Sequence, residues 1–380
     1  MRLSLLHLVI GLNLVPVVSA AGEAETDFVS LFNGKDLTGW HIEGKHTKAF
    51  AVGGGVLNLT YDGQYPTWLR SDKMYENFVL RFEFKIPYYC ETGLFVHAPL
   101  HGHWSKVGMK ILLTEDSAPG ARTQHTGTIV GVAREKVVAT KHYNEWNTVE
   151  VFMDYPILRV TVNDKLVQEV DCQKNEKLRH RLRTGYLGIQ AMGSPASFRN
   201  LRIKELPSKE KWIPLFNGKD LTGWQTMGDA TWEVHDGVLV AKGTKGGTGY
   251  LLTKAEYQDF ELFTYIRTTP QANGGIFFRW KTLTTNDRGN EIQIYNNPDG
   301  NNPTGSIYTI ARNDNLTARD GEWFPMQIFL KGPTCHVRVN GETAGVCDQL
   351  TTVRPGMISL QMHSRGAVIE FKDLRIKLPE

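Results

Sequence analysis

The sequence predicts an all-β protein made of two tandem antiparallel β-sandwich domains, and three observations carry that prediction. A ten-residue string, Leu31-Phe-Asn-Gly-Lys-Asp-Leu-Thr-Gly-Trp40, recurs unchanged from Leu215 to Trp224. Segments such as Phe78 to Lys85, Asn147 to Met153, Leu158 to Val162 and Ser197 to Ile203 alternate apolar and polar residues, as strands do when one face is buried. Turn formers at Asn163-Asp164, Asp236-Gly237 and Asn340-Gly341 separate such segments, and sustained helical periodicity is missing. A strand that buries one face needs a second sheet to cover it, so a two-sheet sandwich or jelly roll is the expected architecture.

The repeat sets the domain boundaries. After the opening string, Gly55-Val-Leu57 matches Gly237-Val-Leu239, and Glu145-Trp146 matches Glu322-Trp323. Phe198-Arg-Asn-Leu-Arg-Ile-Lys204 then matches Phe371-Lys-Asp-Leu-Arg-Ile-Lys377. Each copy is the size of a whole domain rather than of a solenoid unit, giving copies at 27–206 and 212–380, with the polar stretch Glu205 to Lys211 as linker. Residues 1–20 read as a signal peptide: Arg2, an apolar run to Val18, then Val18-Ser19-Ala20 as a small-residue cleavage site. The expected location is secreted or periplasmic, with no stable membrane span.

A net charge of +3 with both signs interspersed offers no basic stripe to follow a phosphate backbone, so nucleic acid is not an expected partner. The four cysteines include Cys335 and Cys347, which flank the Asn340-Gly341 turn and are expected to pair. There is no P-loop, dinucleotide glycine fingerprint, Gly-x-Ser-x-Gly elbow or His-Glu-x-x-His, which argues against a nucleotide enzyme, serine hydrolase or zincin.

The opening string, Asn273-Gly-Gly-Ile-Phe-Phe-Arg279, Asn290-Glu-Ile-Gln-Ile294, Thr304-Gly-Ser-Ile-Tyr308 and the closing Phe-x-Asn/Asp-Leu-Arg-Ile-Lys strand resemble the 3-keto-disaccharide hydrolase domain family, twice along the chain. The resemblance implies a concanavalin A-like sandwich and activity on glycosides already oxidised to a ketone at C3. The expected partner is therefore a carbohydrate.

Comparing the two copies separates scaffold from site. What both keep, such as Trp40 and Trp224, reads as core; where they differ, copy two keeps polar groups. Arg279 stands opposite His97, Glu291 opposite Lys110, Gln293 opposite Leu112, Tyr308 opposite Val130 and His363 opposite Met192. Copy one therefore reads as degenerate and copy two as the active or binding domain. Glu291, Gln293 and Tyr295, at i, i+2 and i+4, share one strand face, with Ile292 and Ile294 on the other. That strand offers a single carboxylate, whereas a retaining glycosidase needs two about 5 Å apart. A 3-keto sugar needs only one base to take the acidified C2 proton, one group to steady the enolate, and a proton for the leaving group. Glu291 is expected as the base, Arg279 as the enolate partner, and Tyr308 or His363 at the leaving group; Gln293, Tyr295, Trp280 and Gln361 are the expected substrate contacts. No cofactor is predicted. Two other readings stand beside this one: a divalent metal on His97, His101 and His103, and a non-catalytic glycan-binding protein with two lectin-like modules.

Overall fold

The computed structural model describes residues 27–62, 67–118 and 123–379; the signal-peptide reading of residues 1–20 lies outside them. The described residues form two sandwiches, each pairing a large antiparallel sheet with a five-stranded one. In copy one the five-stranded sheet runs Trp40–Glu43, Thr67–Tyr75, Gly185–Ala191, Glu91–Ala98, Met109–Thr114. Copy two repeats that order position for position with Trp224–Gly228, Gly249–Tyr257, Gly356–Met362, Asn273–Trp280 and Asn290–Tyr295. Among the described residues the only α-helix is one turn, Trp104–Val107, and no helix is long and apolar enough to cross a membrane.

The alternation seen in the sequence is the reason for two layers. In Phe260–Thr268, Phe260, Leu262 and Ile266 point inward to meet Ile276, Phe278, Ile292, Ile294 and Leu360 of the facing sheet. Burying each such side chain contributes about 1.5–3 kcal/mol. Copy one builds an equivalent core from Leu57, Leu80, Phe84, Ile111, Val151 and Leu187. The repeated opening string also serves the fold. Trp40 Nε1 donates to Leu31 O at 2.6 Å and Trp224 Nε1 to Leu215 O at 2.7 Å, while Asn33 with Asp36, and Asn217 with Asp220, tie the intervening turns.

The expected disulfide is not formed. Cys335 and Cys347 are register partners on adjacent strands, yet both are free thiols, and burial pushes Cys335 up to about 12.

The copies dock through the outer face of copy two's large sheet. Phe263 and Tyr265, which alternate with its core residues, pack on Val107 and Leu182 of copy one. Leu100 N donates to Tyr265 Oη at 2.9 Å, and the buried Arg338 guanidinium binds the carbonyls of Lys106 and His180. The face used for docking is therefore the one turned away from copy two's five-stranded sheet.

Candidate active site

Register places one residue set on the outer face of copy two's five-stranded sheet. Asn290–Tyr295 pairs with Asn273–Trp280 so that Glu291 meets Phe277, Gln293 meets Gly275 and Tyr295 meets Asn273. The next strand sets Ser359 beside Phe277 and Gln361 beside Gly275, and the one after sets Tyr250 beside Gln361. Paired residues point to the same side, so Glu291, Gln293, Tyr295, Asn273, Phe277, Ser359, Gln361 and Tyr250 share one surface. Most of this surface is buried: Gln293 is 4% exposed and Gln361 6%. Tyr308 joins it, because its backbone N–H donates to Glu291 O at 2.9 Å and Ile307 bridges Ile292.

The chemistry of this surface centres on Glu291. Its side chain lies across Gly275, where an added Cβ would sit 2.4 Å from Oε1, so the missing side chain is what lets the carboxyl lie down on the sheet. Burial among Phe277 and its neighbours raises the carboxyl to about 7, against the opposing pull of the Arg288 guanidinium. Arg288, at the end of the loop that enters the strand, lies 5.6 Å from the Phe277 ring centroid. Beside Glu291, Gln293 donates to Asn273 Oδ1 at 2.8 Å and leaves its Oε1 buried with no partner, while Gln361 Nε2 lies 3.4 Å from Tyr250 Oη. A buried acceptor without a partner is suited to a hydroxyl donor.

Several expected site residues lie elsewhere. Arg279 does not face this surface. It occupies a bulge at φ 61°, which turns its side chain into the end of the sandwich. There it is 0% exposed and spends its donors on Gln258 O, Thr352 O, Gly332 O and the Asp259 carboxylate, binding turns together. Gly356 and Gly289 pack on that bulge with no room for a Cβ, and His97 repeats the bulge in copy one between Gly108 and Gly185. Trp280 is also 0% exposed; it packs edge-on beside Tyr250 and Phe277 in one cluster, at ring distances of 4.9 and 5.4 Å, and offers no face to a sugar. His363 lies four residues along its strand from Ser359 and bonds Thr248 Oγ1 at 2.6 Å, which puts it about 13 Å along the sheet from the Glu291 row. Tyr295 closes that same far end, accepting from Asn297 Nδ2 at 3.0 Å.

The three histidines of copy one do not converge. His97 is buried, held at about 4, with Nε2 2.7 Å from Glu76 O; His101 accepts from Lys372 Nζ at 2.6 Å; His103 begins the helical turn Trp104–Val107. Among the described residues no group of three His, Cys, Asp or Glu is placed to hold a metal ion. Sequence reasoning missed Arg288, Tyr250, Phe277, Asn273 and Ser359. The four strand residues were accessible by counting two positions at a time along neighbouring strands, whereas Arg288 sits in a loop whose path no periodicity reveals.

The sequence pattern of the 3-keto-alpha-glucoside-1,2-lyase-like domain family matches residues 27–204 and again 211–377. A 3-keto-disaccharide hydrolase of Bacteroides thetaiotaomicron is 27% identical over 158 residues, 33% of this chain and 54% of that protein, so the chain spans about half the length of this curated relative. A solved structure from Parabacteroides distasonis, provisionally described as a glycosyl hydrolase, is 23% identical over 48% of this chain and 95% of its own, with a TM-score of 0.42. The carbohydrate binding module CBM66 from Bacillus subtilis is 14% identical over 41% of this chain and 95% of its own, with a TM-score of 0.32.

Proposed function

We propose, since the chain belongs to the 3-keto-alpha-glucoside-1,2-lyase-like domain family, that its second copy cleaves 3-keto glycosides by proton abstraction, elimination and hydration. The observation that carries this reading is Glu291: one carboxylate, raised to about 7 by burial, on a sheet face it shares with buried hydrogen-bonding side chains. A base poised near neutral pH is the requirement for removing a proton acidified by an adjacent ketone. Arg288 takes the part expected of Arg279, as the cation near enough to influence Glu291 and the enolate oxygen. Tyr308, beside Glu291 by register, supplies the hydroxyl for the departing C1 oxygen. The C2–H bond breaks toward Glu291 and the C1–O bond breaks as Tyr308 protonates the departing oxygen; water then adds its hydroxyl to C1 and gives its remaining proton to Tyr308, while Glu291 returns its proton to C2. Gln293 and Gln361 hold sugar hydroxyls. Export from the cell is part of the same proposal. Incubating the full chain with a 3-keto disaccharide, alongside calorimetric titration with the unoxidised sugar, tests it: release of both monosaccharide units is expected, and binding without release would leave a glycan-binding protein instead.

Copy one lacks this arrangement. Lys110 stands where copy two has Glu291, opposite Phe95 as Glu291 is opposite Phe277. Trp68, 0% exposed, lies over Gly188 with the Trp104 ring tilted against it at 4.9 Å, covering the part of the counterpart face beside Phe95. Copy one therefore does not perform the elimination in this reading.

A further inference from the structure

Lys110 is a charged-type side chain placed where a charge is costly. It is 9% exposed, and its stem crosses Gly93 so closely that an added Cβ would sit 2.3 Å from Cε. Its Nζ reaches Met192 Sδ at 3.8 Å, and a thioether is a poor acceptor for an ammonium ion. Burial lowers its pKa, and the Glu91 carboxylate at the start of the neighbouring strand opposes that only in part. Met192, 37% exposed, marks where the amine meets solvent.

Two buried polar groups on the same face are also unsatisfied. Gly188 pairs with Phe95 and Ile189 with Leu94, so the next residue, Gln190, lies beside Gly93 under the lysine stem. Its Oε1 has no hydrogen-bond partner, and neither has Nε1 of Trp68, the residue paired with Gln190. A sheet face that buries an amine, an acceptor and a donor, each poorly matched, is shaped for a polar ligand rather than for a core.

We propose that this face of copy one captures carbonyl-bearing sugars covalently and reversibly, through Lys110. The neutral amine adds to the ketone carbon, forming a C–N bond while its proton passes to the former carbonyl oxygen. Loss of that oxygen as water leaves an imine, with nothing oxidised or reduced. Gln190 Oε1 and Trp68 Nε1 accept from and donate to the sugar's hydroxyls. The choice of a 3-keto sugar as ligand rests on the function proposed for copy two; the reactive amine does not.

Reductive trapping tests this on the full chain. The protein is incubated at neutral pH with sodium cyanoborohydride and either a 3-keto glucoside or dihydroxyacetone, then digested and mapped by mass spectrometry. The expected result is Lys110 carrying the ketone's mass less one oxygen, labelled well above any surface lysine. Running Glu291→Gln in parallel keeps the keto sugar from being consumed and should leave the labelling unchanged. Labelling by dihydroxyacetone alone would keep the reactive amine and remove the 3-keto sugar as its ligand. Labelling without any turnover by the wild type would sink the lyase reading and leave this one standing. Turnover with Lys110 unlabelled, or labelling spread evenly over surface lysines, would overturn the proposal, as would an unchanged peptide map in Lys110→Met.

Discussion

Glu291 shows how a single residue acquires a chemical role from its surroundings. Its carboxyl is raised from 4.5 to about 7 chiefly by burial. The ionised form is the working base, so kcat/KM should climb with pH through about 7, and Glu291→Gln should lower turnover by about 10²–10⁴ while keeping the fold. The same shift has a stability consequence. A carboxyl whose pKa is higher in the folded state gives its full stability below the unfolded value of 4.5, and that stability is lost as pH rises toward about 7. Glu291→Gln should therefore raise the melting temperature at pH 8 and leave it nearly unchanged at pH 4; an equal effect at both would mean the carboxyl is not strained by burial. Comparing the two copies in sequence marked Glu291 and Gln293 as polar groups that copy two keeps, and register sets both on one face with Gln361. The same comparison misplaced Arg279, because a bulge rotates its side chain off the strand's alternation, and residue type alone does not report a left-handed φ.

At the scale of elements, the two copies share a frame and differ in what lies on it. The frame includes the bulge at Arg279 and His97 and the glycines packed against it, which hold strand ends together. Arg279→Lys should consequently lower the melting temperature by several degrees, since one ammonium cannot replace four guanidinium contacts, while KM and kcat of the folded fraction stay near wild type. Gly275 belongs to the site instead. Gly275→Ala would drive a methyl group to within 2.4 Å of Glu291 Oε1, and should reduce turnover strongly with little loss of stability. A melting curve and a kinetic assay on each variant distinguish the two roles. Strand alternation and turn residues made the sandwich legible before any coordinates, because period-2 burial is a local property. How the loop before Asn290 brings Arg288 over Phe277 is not local, and no spacing in the chain encodes it.

Across the whole molecule, the docking of copy one on the far side of copy two keeps the two outer sheet faces apart. The contact is largely hydrogen-bonded and aromatic, with Arg338 buried against copy one's backbone and Tyr265 capping Leu100 N–H. Arg338→Ala would leave those carbonyls without their donor and should split thermal unfolding into two transitions, read by calorimetry, without changing turnover per folded molecule. A fall in turnover matching the loss of docking would mean the copies build one site together. The repeated opening string revealed the duplication in the sequence, but the contact of His101 with Lys372 across the docked copies was hidden, since contacts between domains carry no periodicity. The central claim is that proton abstraction next to the ketone takes place on copy two at Glu291. It is tested most directly by following the C2 proton of a 3-keto glucoside by NMR in deuterated buffer: the wild type should wash it out, and Glu291→Gln should leave it in place, whereas exchange at the wild-type rate in that variant would contradict the account.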